Sequence, residues 1–408
     1  MRVLFISQYY SPEVGGGPTR VTGLAENLVK LGHAVTVITG FPNYPSGVIS
    51  PEYRGRFFLE ESINGVRVLR TWLFTSQKKT KARRLLTYLT FAFSATLRAL
   101  LVRGDSDVIF ASSPPLFVGI PALVLSKVKN IPYVFDVRDL WPEIAVHLGQ
   151  LSGDSIAARV AERLEMLLYS SARQVSVVTR GKREKLLRRG VPSNKVFVLS
   201  NGVDDDFLTL PDGLIKRADL GFADQDFIVT YAGTVGLAQG IEILVDAATR
   251  LRNNPRIKFL IIGEGVEKPV LMDRVNAARL DTVRFLPLQP KYKMPSLLRI
   301  SDIAFVPLKS HVLTDSVPSK LYEYLGVGCP VILAARGDSC ELVREAEAGI
   351  IVEPGNVEHL VETLTYLFEH REILAQYGEN GRAYVRENCL RSSIAITLEK
   401  QLLELVSC

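Results

Sequence analysis

Two Rossmann-like, doubly wound α/β domains in tandem are predicted by this 408-residue sequence, and three observations carry the prediction. Short apolar runs alternate with amphipathic helical periods along nearly the whole chain, the pattern of right-handed βαβ crossovers over parallel sheets. The alternation stops at Asn201-Gly-Val-Asp-Asp-Asp206 and resumes near residue 227. The length allows two cores, with 47% hydrophobic residues to fill them. Ordinary Gly, Pro and charged content excludes collagen-like, disordered and disulfide-scaffold classes. The predicted domains are residues 1–203 and 204–390, followed by a closing helix at 391–408. A cleft separating the two sheets is the expected site, because ligands of such sheets bind beyond the carboxyl ends of the strands.

In the first domain, Val3 to Ile6 reads as a strand, Pro18 to Leu31 as a helix after a Gly15-Gly-Gly loop, and Ala34 to Thr39 as the next strand. FFLEES and VRVLRTW flank Asn64-Gly65 as a hairpin. Helices follow near Arg83 to Val102, Leu116 to Lys127 and Ala157 to Ser171, and strands at Val108 to Ala111, Tyr133 to Asp136, Gln174 to Val178 and Val196 to Ser200. The second series has strands at Phe227 to Ala232, Lys258 to Ile262, Val283 to Leu286, Ile303 to Val306, Val331 to Ala334 and Gly349 to Val352. Its helices read at Ile241 to Leu251, Val266 to Ala278, Lys291 to Arg299 and Ser319 to Gly326, and further helices run to the C-terminus.

Charge is split unevenly. Residues 1–200 carry a net charge of +13 and the remainder −7, so the first half faces an anionic partner such as a membrane surface or a phosphate-bearing acceptor. Lys78-Lys-Thr-Lys-Ala-Arg-Arg84 precedes the apolar stretch Leu85 to Val102, which Arg98 interrupts. That pairing reads as a helix lying on anionic lipid rather than crossing it. Nucleic acid is not expected, since no recognition motif or interleaved aromatics accompany the basic run. The N-terminus lacks the pattern of an export signal, which points to the cytoplasm. The four cysteines have no pairing or metal spacing and the five histidines no zinc motif, so reduced thiols and no protein-bound metal are expected.

Three segments carry candidate chemistry. Asp315-Ser-Val-Pro-Ser-Lys-Leu-Tyr-Glu323 places two carboxylates eight residues apart across a loop-to-helix junction, with Ser319 and Lys320 in the first turn. There an acid accepts from sugar or ribose hydroxyls, and first-turn amides and a lysine suit phosphate. Gly233-Thr234-Val-Gly236-Leu-Ala-Gln239-Gly and Gly263-Glu264-Gly follow strands, where backbone amides approach a diphosphate; neither is a dinucleotide fingerprint. In the first half, Gly16, Gly17 and Arg20 form another strand-to-helix loop, and Arg138, Asp139, Trp141 and Glu143 crowd the end of a buried strand.

Taken together, the YYSPEVGGGPTR, GHAVTVIT, RDLWPE, SNGVD, YAGTVGLAQGIE, IIGEG and VPSKLYEYLGVGCPVI segments resemble the family 4 retaining glycosyltransferases of GT-B fold, in the WbuB/WcaI-like branch that builds bacterial surface polysaccharides. The resemblance covers nearly the whole chain, and it implies that the closing helix at 391–408 packs back on the first domain. It implies a nucleotide-sugar donor, expected to be a UDP-sugar, on the second domain. A lipid-linked or oligosaccharide acceptor of exopolysaccharide, capsule or O-antigen synthesis would lie on the first. No metal or other cofactor is implied, and the location is peripheral on the inner face of the cell membrane. Glu323 matches the acid that contacts ribose, and Asp315 stands where the family has a glutamate for the donor sugar hydroxyls. Thr234 and Gln239 replace the family's diphosphate-binding arginine and lysine, and Arg138-Asp139 replaces a His-Asp pair. Lys320, with Arg20 or Arg138, is the expected source of the missing charge, and Asp139 and Glu143 are expected to orient hydroxyls. A UDP-sugar 2-epimerase and a non-catalytic sugar-binding module of the same general shape are the alternative readings.

Overall fold

In the computed structural model, Met1–Asn201 and Arg391–Cys408 form one unit and Gly202–Leu390 a second. The structure describes all residues except 14, 45, 79, 103, 105, 148, 150, 212, 237, 238, 309–313 and 408. Lys79 of the basic segment and Cys408 therefore lie outside the described residues.

The first unit runs β1 (Arg2–Ile6), α1 (Gly16–Lys30), β2 (Ala34–Gly40), β3 (Phe58–Ile63), β4 (Val66–Thr71), α2 (Lys81–Leu101) and β5 (Val108–Ser113). It continues through α3 (Gly119–Lys129), β6 (Tyr133–Val137), α4 (Glu143–His147), α5 (Ile156–Ser171), β7 (Gln174–Val177), α6 (Arg180–Arg188) and β8 (Val196–Val198). The strands form one eight-stranded sheet in the order β3-β4-β2-β1-β5-β6-β7-β8. All pairs are parallel except β3 with β4, whose hairpin turns at Asn64 and Gly65, both with positive φ, as the Asn-Gly signal predicts. Inner strands such as β5 and β6 are buried along their whole length. They carry helices on both faces and read as continuous apolar runs.

The second unit contains α7 (Asp205–Thr209), β9 (Phe227–Ala232), α8 (Glu242–Arg250), β10 (Ile257–Ile262), α9 (Lys268–Ala277), β11 (Val283–Leu286), α10 (Met294–Arg299) and β12 (Ile303–Pro307). Then come α11 (Ser319–Gly326), β13 (Val331–Ala334), α12 (Asp338–Glu345), β14 (Gly349–Val352), α13 (Val357–Glu369) and α14 (Glu372–Asn388). Its six parallel strands are ordered β11-β10-β9-β12-β13-β14, so the order reverses beside β9. A ligand crevice forms at such a reversal. The short helix α4 and helix α12 are absent from the sequence prediction; α12 sits between two strands that the apolar runs alone place next to each other.

The last helix, α15 (Arg391–Val406), belongs to the first unit. Its Ile394, Ala395, Leu398 and Leu402 share a core with Val21, Leu24, Ala25 and Leu28 of α1. The crossing is close: a Cβ on Gly23 would stand 1.8 Å from the Arg391 Cδ atom. At the far end, His33 of the loop after α1 meets Glu399 at 2.6 Å.

Candidate functional site

In the second unit the site is built on two stacked glycine loops. Gly233 leaves β9 with φ +145 and Gly263 leaves β10 with φ +143, conformations that side chains rarely adopt. A Cβ on Gly263 would stand 1.8 Å from the Gly233 carbonyl oxygen. The loops are laced by Gly233 N–H to the Ile262 carbonyl at 2.9 Å and Val235 N–H to the Glu264 carbonyl at 2.9 Å. Glu264 pairs with Lys268 at 2.8 Å, and the same ammonium donates to the carbonyls of Gly263 and Leu286 at 2.9 and 3.1 Å. Lys268 is thus spent on holding the loop. The Glu-Lys spacing of four at a helix start was its only sequence signal.

Helix α11 opens at Ser319 after Pro318, with no side-chain cap and no acid in its first turn. Its N-terminus therefore presents unmet donors and the positive end of the helix dipole. Lys320 reaches from that turn to the first loop: its Nζ lies 4.1 Å from the centre of the Tyr231 ring, and a Cβ on Gly233 would be 2.5 Å from it. Burial pulls the ammonium down to about 8, against the favourable charge of Glu323. Tyr324, on the same helix, accepts from Ala232 N–H at 3.0 Å and donates to the Ala232 carbonyl at 2.8 Å, fastening the strand end just before Gly233. Tyr231 donates to the Thr234 carbonyl at 2.7 Å. Both tyrosines escaped the sequence reading as functional residues, because an aromatic in an apolar run looks like core.

The other predicted residues fall around this centre. Asp315 is buried in the loop before α11, Glu323 is half-buried one turn inside it, and Ser319 and Thr234 are exposed. The Asp315 loop is held by Asp338 N–H to the Thr314 carbonyl at 2.7 Å and Ser339 Oγ to the Ser316 carbonyl at 2.5 Å. Gln239 donates its N–H to the Gly236 carbonyl at 3.1 Å and lines a cavity of about 290 Å³ with Glu242, Asp246 and Leu308.

In the first unit, two of the predicted site residues are corrected. Arg20 is 1% exposed and all five of its N–H groups are in use. Nε and Nη2 bond the Asp136 carboxylate at 3.3 and 3.0 Å, Nη2 also bonds the Leu199 carbonyl at 2.8 Å, and Nη1 bonds the Ser200 carbonyl at 2.6 Å and Asn201 Oδ1 at 3.2 Å. Asp136 in turn accepts from Ser112 at 2.7 Å and Ser176 at 2.9 Å. A guanidinium in a dry interior is tolerable only when saturated in this way. It has no donor left for a phosphate. Glu143, read from the sequence as a free acceptor, is ion-paired with Lys185 at 2.7 Å and with Arg189.

Arg138 differs from Arg20. Its Nε is buried with no hydrogen-bond partner among the described residues, and burial lowers its pKa against the charge of Asp139. Its guanidinium faces the first turn of α1: a Cβ on Gly17 would be 2.8 Å from Nη1, and one on Gly16 3.7 Å from Nη2. That turn has no side-chain cap and no acid. An unsatisfied guanidinium against a bare helix start can take an anion.

Two sheets with glycine loops, a cation and an uncapped helix at their strand ends define a doubly wound α/β protein. Family comparison then makes the class specific. Residues 15–202 match the model of the glycosyl transferase 4-like domain and residues 214–384 that of glycosyl transferases group 1. The chain belongs to this glycosyltransferase family and is a transferase of GT-B fold. It is 29% identical to WcaI of Escherichia coli K12, named as a colanic acid biosynthesis glycosyl transferase, over 97% of this chain and 99% of that one. Among solved structures, sucrose-phosphate synthase of Thermosynechococcus elongatus superposes with a TM-score of 0.74 at 20% identity, covering 100% of this chain and 99% of its own. Anabaena HepE in complex with UDP superposes at 0.73 with 17% identity, covering 99% and 100%.

Proposed function

We propose that the chain transfers a sugar, with retention, from a UDP-sugar to a lipid-linked saccharide in bacterial surface-polysaccharide synthesis, without a metal ion. The observation that carries the donor half is Lys320, held over the Gly233 loop at the bare N-terminus of α11. Breaking the bond from the sugar carbon to the diphosphate oxygen leaves one further negative charge on the departing diphosphate, and preorganised donors in a partly dry site stabilise it at least cost in reorganisation. A lysine at about 8 is still protonated at neutral pH, and a bound diphosphate restores the charge environment that burial removes. Glu323 takes the ribose hydroxyls and Asp315 the donor sugar hydroxyls, while the loop amides at Gly233 and Gly236 approach the diphosphate. The UDP bound by HepE supports the choice of base. The name of WcaI supports the polysaccharide setting.

The reading includes a lipid surface. Helix α2 buries Phe91, Ala92, Ala95 and Ala99 but also exposes Leu85, Leu86, Leu89, Phe93 and Leu101, with Lys78, Lys81 and Arg83 at its start. An apolar face bordered by basic residues lies on anionic lipid. Among the described residues no helix is long and apolar enough to cross a membrane.

Thermal stabilisation of the purified chain by UDP, GDP and ADP, each with and without EDTA, tests the donor half, since a ligand of the folded state raises apparent stability by mass action. A shift selective for UDP and unaffected by EDTA is expected. A shift that EDTA removes would overturn the metal-free reading, and no shift with any nucleotide would overturn the donor site.

A further inference from the structure

A cavity of about 350 Å³ in the first unit lies past the carboxyl ends of β1, β2 and β4. Tyr9, Asn43, Tyr44, Lys78, Arg84 and Tyr88 line it, and none of the described lining residues is an acid, although buried Glu13 stands behind Asn43 and Tyr44. Burial pushes the pKa values of the Tyr9 and Tyr88 hydroxyls up, Glu13 adds to the rise at Tyr9 and Arg84 opposes it at both, so both phenols are neutral donors at physiological pH. The walls are set rather than loose. Buried Glu13 accepts from Asn43 N–H at 2.9 Å and Tyr44 N–H at 2.8 Å, and the Tyr44 ring stands 5.6 Å from that of Tyr9. Helix α2 begins at the rim with Thr80 as its cap and no acid in the first turn, which adds the positive end of a 21-residue helix. Leading away from that rim, Leu86, Leu89, Phe93 and Leu97 are 43, 44, 67 and 37% exposed along one face of α2.

We infer that this cavity is the acceptor subsite and takes the phosphate end of a phosphate-bearing, lipid-linked saccharide, its lipid following the Leu86–Leu89–Phe93–Leu97 stripe. The inference rests on the transferase reading with a lipid-linked acceptor, and it places the acceptor's phosphate at Lys78 and Arg84 rather than at Arg20, whose donors are spent. The tyrosines supply what a sugar beside a phosphate needs: flat apolar faces for the ring and hydroxyls for its oxygens. The stripe gives the lipid an apolar track that starts where the charge ends.

The test is direct binding by the full chain of farnesyl diphosphate, farnesol, inorganic diphosphate, phosphatidylglycerol vesicles and UDP. Farnesyl diphosphate is expected to bind about tenfold or more tightly than either farnesol or inorganic diphosphate, and the double variant Lys78→Ala, Arg84→Ala to lose about tenfold or more of that affinity. Phe93→Glu, on an exposed face, should weaken farnesyl diphosphate and leave inorganic diphosphate unchanged. Equal affinity for farnesol and its diphosphate, or full affinity in the double variant, overturns the subsite. Binding to vesicles with none to farnesyl diphosphate assigns the charge to the bilayer surface and also overturns it. If Phe93→Glu instead splits a dimer, the stripe is a contact with a second copy and the lipid track fails. The UDP arm is separate: wild-type protein that binds farnesyl diphosphate but not UDP breaks the donor reading and leaves this site standing.

Discussion

Both units set a cation beside a strand-end glycine loop, Arg20 on α1 and Lys320 on α11, yet the two cations have opposite fates. Arg20 is saturated by Asp136 and three backbone or side-chain oxygens of Leu199, Ser200 and Asn201, tying α1 to the sheet and to the segment after β8. Lys320 has a ring beneath it, a carboxylate nearby and no hydrogen-bond acceptor among the described residues, and its ionised form is disfavoured by burial. A buried cation with every donor matched is architecture. One left electrostatically short is poised for an anion, because the ligand supplies what the fold withholds.

The sharpest way to break the comparison is Arg20→Ala. It strands Asp136 as a buried unpaired carboxylate, and the expected loss is about 3–5 kcal/mol of unfolding free energy. Trp72 and Trp141 both belong to the first unit, so urea unfolding followed by tryptophan emission reads that unit alone. An unchanged midpoint would return Arg20 to the functional list. Next is Glu323→Ala, for which transfer is expected to fall about a hundredfold in kcat/KM for the donor, the cost of losing a charged hydrogen-bond acceptor, with the melting profile intact. Full activity would remove Glu323 from the ribose role.

Lys320→Met is expected to weaken UDP about tenfold at pH 7. Its sign with pH is the more telling part. The folded-state pKa is lowered to about 8, so the ammonium costs the unliganded fold stability below that pH, and the cost disappears as pH rises towards the unfolded value. Wild-type UDP affinity should therefore hold up to about pH 8 and fall above it, as the cation is lost. The methionine variant should show no such fall and should melt higher than wild type without ligand at pH 7. Titration calorimetry from pH 6 to about 9.5 checks the affinities, and thermal unfolding at pH 7 checks the stability. A variant with the same pH profile as wild type would separate Lys320 from the diphosphate.

How much of this was legible beforehand follows from what kind of signal each feature leaves. Parallel strands leave short apolar runs, so the fully buried β9 and β13 and the partly buried edge strands β11 and β14 are all observed at the residues their sequences predict. The start of α11 was legible because Pro318 cannot continue a helix backwards and Ser319 can begin one. Charge partners were not legible. Arg20 and Asp136 are 116 residues apart, and nothing in Gly-Gly-Pro-Thr-Arg distinguishes a phosphate arginine from a structural one. The ion pairs of Glu143 were hidden for the same reason: Lys185 lies on α6 and Arg189 at its C-terminal cap, beyond any local pattern. Tyr9, Tyr44 and Tyr88 were invisible as a group because they come from three separate loops and helices that only the sheet order brings to one cavity.

The smallest expected effect concerns the other end of the Glu143 network and tests whether it is structural in the same sense as Arg20. Glu165 is 1% exposed, accepts from the Tyr169 hydroxyl at 2.6 Å and pairs with Arg189 at 2.9 Å. Burial nevertheless raises its pKa to about 7, outweighing both partners. An acid whose folded pKa is raised binds its proton more tightly than the unfolded chain does. Its contribution is therefore complete below the unfolded value and is lost as pH rises through about 7. Glu165→Gln keeps an acceptor for Tyr169 and removes the titration. The tryptophan-monitored stability of the first unit should decline by of order 1 kcal/mol from pH 5 to 7.5 in the wild type, and stay flat in the variant over the same range. Parallel slopes would mean that Arg189 holds Glu165 ionised throughout, and that this network, like the one around Arg20, is fully matched.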